Sequence, residues 1–75
     1  MPHVVVKLWP GKSDEQKNRL SDAITRDVAQ ILNYGTESVS VSMEEISPRD
    51  WKEEVYRPAL AGKLGTLFQK PGYEY

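Results

Sequence analysis

Two β-branched stretches, HVVVKL at residues 3–8 and SVSVSM at residues 38–43, are separated by a single long amphipathic stretch. Strand, one helix and strand leave few ways to fold. The strands are expected to run parallel, with the helix crossing over one face in the right-handed sense. In the first stretch Val4, Val6 and Leu8 share one face, and Val5 and Lys7 the other. In the second, strict alternation puts Val39, Val41 and Met43 on one side and Ser38, Ser40 and Ser42 on the other. Two strands and a helix cannot close a core alone. The expectation is an α/β protomer (α+β by some schemes), with a β-α-β unit that pairs with a second copy into a four-stranded sheet.

Local signals fill in the rest. Ser13 followed by Gln16 fits a capping box, and Asp14 and Glu15 suit the positive end of a helix. Leu20, Ala23, Ile24, Val28 and Ile31 recur at helical spacing, while Lys17, Arg19, Asp22, Arg26 and Asp27 read as a solvated face. Gly35 is placed as a C-terminal cap or a loop residue. Further on, Ser47 precedes Pro48 at a first helical position, with Asp50 in the first turn. Pro58 predicts a break, with one short helix ending near Arg57 and a second starting there. Leu60, Ala61, Leu64, Leu67 and Phe68 would give that second helix an apolar face, interrupted by Gly62 and Gly65. Lys70-Pro71-Gly72 would stop it, leaving Tyr73 to Tyr75 as a tail.

A chain of 75 residues is expected to be one domain, 1–75. At this size, disulfides, a metal or a partner subunit usually supply the missing stability. The chain has no Cys and a single His, so disulfides and a metal site are not expected, and a homodimer is. Its 10 basic and 11 acidic residues nearly cancel and form no basic cluster, which argues against a nucleic-acid partner. No run approaches the roughly 20 apolar residues of a membrane span, and the N-terminus lacks the pattern of a signal peptide. A cytoplasmic location fits this composition.

The familiar catalytic constellations are missing: no glycine-rich phosphate loop, no cysteine nucleophile, no histidine available for a triad. Pro2 is the unusual residue. Proline at the head of a strand is tolerated for structural reasons alone. Removal of Met1 would instead leave it as a secondary amine. Terminal amines titrate around pH 8 in short peptides, so such a group is partly neutral near pH 7 and suited to general-base work.

Pro2 leading a strand, Gly11-Lys12-Ser13-Asp14-Glu15-Gln16-Lys17 entering a long helix, and Ser38-Val39-Ser40-Val41 in a second strand together resemble the 4-oxalocrotonate tautomerase family. The likeness covers the β-α-β unit without gaps. The added C-terminal helix and the Lys70-Pro71-Gly72-Tyr73 ending are similar to its dimeric bacterial PptA-type branch. The resemblance implies cofactor-free keto–enol proton transfer on a small-molecule 2-oxo or enol acid, with Pro2 as catalytic base and acid. It places Lys12 where one family arginine binds substrate, keeping the charge but losing the bidentate fork. Trp51 matches the aromatic wall of the pocket. Ser40 stands at the position of a second arginine and supplies no charge. A bulky monoacid such as phenylenolpyruvate is therefore a better expectation than a dicarboxylate.

His3 is left unassigned, and Arg49 and Arg57 are weak candidates for the missing charge. The rival expectation is a non-catalytic dimeric binding module that keeps the fold. A retained Met1 would favour it, because an amide nitrogen is no base.

Overall fold

The computed structural model describes residues 1–62 and 67–75. These form two compact units, Met1–Glu45 and Ile46–Tyr75. The first is the β-α-β unit: β1 (His3–Leu8), α1 (Asp14–Leu32) and β2 (Ser40–Glu45), with a single 3-10 turn at Thr36–Ser38. The two strands are parallel and in register from His3 opposite Ser40 to Leu8 opposite Glu45.

Pro2 shows why a proline is harmless at the head of β1. Its carbonyl accepts the Ser40 amide at 3.1 Å, so it extends the ladder as an acceptor where no donor is needed. After β1 the chain turns at Gly11, whose φ of 118° is a conformation L side chains rarely adopt.

Helix α1 starts as the sequence predicts. The Ser13 hydroxyl accepts the Gln16 amide at 3.1 Å, and Gln16 Oε1 accepts the Ser13 amide at 3.0 Å. At its end, the loop alternative for Gly35 is the one observed. Asn33, with φ 63° and ψ 51°, is the left-handed cap, whereas Gly35 has an ordinary extended backbone. Asparagine tolerates this conformation better than most residues, and it comes two residues sooner.

The side of α1 that carries Lys17, Ser21, Ile24, Thr25, Val28 and Ala29 is partly or fully buried. A groove between α1 and β2 is lined by Lys17 and Ser21 with Val41 and Met43, so α1 covers the valine face of the sheet. Thr25 satisfies its hydroxyl on the Ser21 carbonyl at 2.9 Å. Two members of the predicted stripe lie off this side: Leu20 is 42% and Ile31 77% exposed. Lys17, expected in the solvated face, is instead only 25% exposed at its side chain and paired with Glu45. The second strand is shorter than its alternating pattern, because Ser38 closes the 3-10 turn and Val39 caps it.

In the second unit, Ser47 precedes α2 (Pro48–Trp51), a π-helical turn spans Lys52–Tyr56, and α3 runs Arg57–Ala61. Pro58 does not break the segment. In a regular α-helix its ring would collide with the carbonyl four residues back. The preceding turn is widened instead, with the Arg57 amide bonded to the Lys52 carbonyl. The helix ends at Gly62, whose amide bonds the Pro58 carbonyl at 2.9 Å. It therefore stops well before Lys70-Pro71-Gly72. Leu67 and Phe68 are not helical, and Phe68 is 93% exposed; Leu64 and Gly65 lie outside the described residues.

Only Ala29 and Ile46 among the described residues are buried apolar side chains.

Candidate active site

Pro2 is half-buried at the N-terminal end of the sheet, fixed by the bond from the Ser40 amide to its carbonyl. The structure thus brings together two of the residues singled out in the sequence, Pro2 and Ser40. Beside them sits a residue the sequence reading left unassigned. His3 Nδ1 lies 2.6 Å from Ser40 Oγ, and Nε2 lies 3.3 Å from Ser42 Oγ. The signal was available: parallel pairing places His3 opposite Ser40, and the serines' alternation puts Ser42 on the same face.

Lys12 is exposed on the loop before the Ser13 cap. It belongs to the other end of the sheet. Strand β1 has six residues, five rises of about 3.3 Å, so its ends are about 17 Å apart. The start of α1 is held at that far end, since Lys17 Nζ lies 3.3 Å from the carboxylate of Glu45, the residue paired with Leu8. Within one chain, Lys12 and Pro2 are not brought together.

Trp51 ends α2 in the second unit, half-buried, and its indole N–H donates to the Tyr73 hydroxyl at 2.8 Å. Tyr73 belongs to a group of three tyrosines. Its ring centroid is 5.6 Å from Tyr56 and 6.0 Å from Tyr75, and Tyr56 meets Tyr75 edge-on at 5.0 Å. The tail after Pro71-Gly72 is thereby tied to the helical segment of its own unit. Nothing short of the tail's folded position identifies Tyr73 as Trp51's partner. Arg49 and Arg57 are exposed and lie beside acids, Asp50 at 3.8 Å and Glu53 at 3.3 Å.

Among the described residues, shallow grooves run along α1, between α1 and β2, and between Tyr56 and the tail. These grooves are not lined by Pro2, Lys12, Ser40 or Trp51. Among the described residues, no helix is long and apolar enough to cross a membrane.

What these features amount to is a β-α-β protomer headed by a proline, with a basic residue at the helix entrance and an aromatic in the C-terminal segment. The family profile described as tautomerase enzyme matches residues 2–58. Tautomerase PptA of Cronobacter sakazakii is 43% identical over 75 residues, covering 99% of both chains. Tautomerase PptA of Pectobacterium atrosepticum is 39% identical over 79 residues, covering 100% of both. Among solved structures, TomN, a 4-oxalocrotonate tautomerase homologue of the tomaymycin biosynthetic pathway, superposes with a TM-score of 0.66 at 28% identity, covering 81% of this chain and 100% of its own. An unfused 4-oxalocrotonate tautomerase gives 0.63 at 31% identity, covering 65% and 80%. The chain belongs to the tautomerase family. That membership supports isomerase-type, tautomerase activity.

Proposed function

We propose that the chain, acting as a single domain over residues 1–75, is a cofactor-free keto–enol tautomerase of 2-oxo and enol monoacids, phenylenolpyruvate among them. The observation that carries this reading is the anchoring of Pro2 through its carbonyl. A proline held this way has no ladder bond through its nitrogen, so removal of Met1 leaves a secondary amine at a fixed position. The neutral amine takes the proton from the enol oxygen or from the carbon next to the carbonyl. It then returns the proton at the other end of the three-atom system.

The charge for the substrate's oxygen comes from Lys12, and the separation of Lys12 from Pro2 means that it comes from a second copy. Exposed Val5, Trp9, Leu20, Ile31 and Leu32 supply apolar surface for such a copy to cover. Trp51 is the aromatic wall, and Ser40 flanks the base. A cytoplasmic homodimer without nucleic-acid or membrane partners completes the reading.

The test is ketonisation of phenylenolpyruvate, followed by ultraviolet absorbance on protein whose mass shows Met1 removed. A Met1-retaining sample and Pro2→Ala run beside it. Turnover only in the trimmed wild type, with Pro2→Ala slower by about 100-fold or more, is the expected result. Mixing Pro2→Ala with Lys12→Ala protomers should restore activity, because one hybrid site then holds both native residues. Background rates in every sample would move the non-catalytic binding module ahead. A stable monomer in sedimentation at micromolar concentration would end the shared-site geometry.

A further inference from the structure

The face of the sheet that α1 leaves open carries His3, Val5 and Lys7 from β1 and Ser40, Ser42 and Glu44 from β2. The charged pair on this face, Lys7 and Glu44, is self-matched, with Lys7 Nζ 4.0 Å from Glu44 Oε2. At the opposite end of the face, beside Pro2, the His3 ring spans two serine hydroxyls at 2.6 and 3.3 Å.

Counting donors shows what this group can take. A neutral imidazole has one N–H and one bare nitrogen. One serine oxygen then accepts from the ring and keeps its own O–H; the other serine gives its O–H to the bare nitrogen. A protonated ring donates to both serines and leaves both O–H groups free. In either state the trio has a hydroxyl donor left over, and in the second it is also positively charged. Among the described residues no acidic side chain joins the trio: Glu44, the carboxylate on this face, is the one matched to Lys7. A surplus of donors with no acid among them suits an anionic oxygen.

Position makes the group relevant to the chemistry. Ser40 is bonded through its amide to the Pro2 carbonyl, and His3 follows Pro2 in the chain. His3 and Ser40 are exposed and Ser42 is half-buried, so the hydroxyls can be reached. We propose that His3, Ser40 and Ser42 form a carboxylate-binding subsite beside Pro2, which holds the single carboxylate of a 2-oxo or enol acid. This rests on the tautomerase reading above and names which side chains, besides Lys12, grip the substrate.

The experiment has two arms, both on Met1-free protein. In the first, ¹⁵N signals of the imidazole, unambiguous because the chain has one histidine, are followed while phenylpyruvate or its methyl ester is added. Shifts that saturate with the acid and not with the ester are expected. In the second, ketonisation kinetics are compared across variants. His3→Ala should raise KM about tenfold while kcat stays within about threefold, the loss of one hydrogen bond to a charged group. Ser42→Ala should fall between His3→Ala and wild type, and Lys7→Gln, at the far end of the face, should match wild type. Unchanged KM in His3→Ala, or equal shifts with acid and ester, would overturn the subsite. Should the wild type show no turnover, the tautomerase reading falls, and the first arm alone decides the subsite: acid-specific shifts sustain it and their absence removes it.

Discussion

Lys17 Nζ lies 3.3 Å from the Glu45 carboxylate and 3.7 Å from Asp14, joining the first turns of α1 to the last residue of β2. The Lys17 side chain is 25% exposed and that of Glu45 41%, which places the pair between a free surface bridge and a buried one. Its contribution should be modest because both groups keep part of their hydration. Glu45→Gln is expected to lower unfolding free energy by about 0.5–1 kcal/mol. Lys17→Met, which keeps the apolar stem, should do the same. A double-mutant cycle in urea should give a coupling of about 0.5 kcal/mol that shrinks at high salt. Additive losses would mean the two charges act independently and that something else holds α1 to the end of β2.

Asn33 is the second test of a local device. Its left-handed backbone, φ 63° and ψ 51°, ends α1 while its amide and that of Tyr34 both bond the Ala29 carbonyl. Asn33→Gly should stay within about 0.5 kcal/mol of wild type, because easier backbone geometry is offset by a more flexible unfolded chain. Asn33→Val should lose about 1–2 kcal/mol, since a β-branched side chain clashes in this conformation. Equal thermal midpoints for the valine and glycine variants would show that the cap is not held left-handed in solution.

The β-α-β order, the parallel pairing and the start of α1 were all legible, because each is set by a short-range rule: alternation, crossover length, and a capping box three residues apart. The cap at Asn33 was hidden by a glycine two residues later. Ser38 and Val39 carry the alternation of a strand, but the Ser38 amide and hydroxyl both bond the Gly35 carbonyl, at 3.1 and 2.8 Å. That turn takes the two residues out of β2. Pro58 misled for a different reason. Propensity says that proline ends a helix, yet a turn widened by one residue removes the collision and lets the helix continue. For the candidate site, Pro2 and Ser40 were visible as positions, and their adjacency follows from register. The distance from Lys12 to Pro2 needed strand lengths and the direction of α1, which no local pattern states.

The bond from Trp51 to Tyr73 links the proposed pocket wall to the tail, and it makes the last prediction. Tyr73→Phe keeps the ring that packs at 5.6 Å on Tyr56 and removes only the acceptor of the indole N–H. Tyr73 is 48% exposed, so water can replace part of that bond. The cost should lie at the low end for a hydrogen bond, about 0.5 kcal/mol. Tyr73→Ala also removes ring contacts with Tyr56 and Tyr75 and should cost more, about 1–2 kcal/mol. Trp51 emission, read in a Trp9→Phe background, should change in both variants. If Trp51 is a wall for the substrate's ring, KM for phenylenolpyruvate should rise in Tyr73→Ala by about threefold or more, with a smaller rise in Tyr73→Phe. KM for an aliphatic enol acid should move less. Unchanged emission in both variants would separate the tail from Trp51. A changed emission with KM values untouched would keep the contact and remove Trp51 from the pocket.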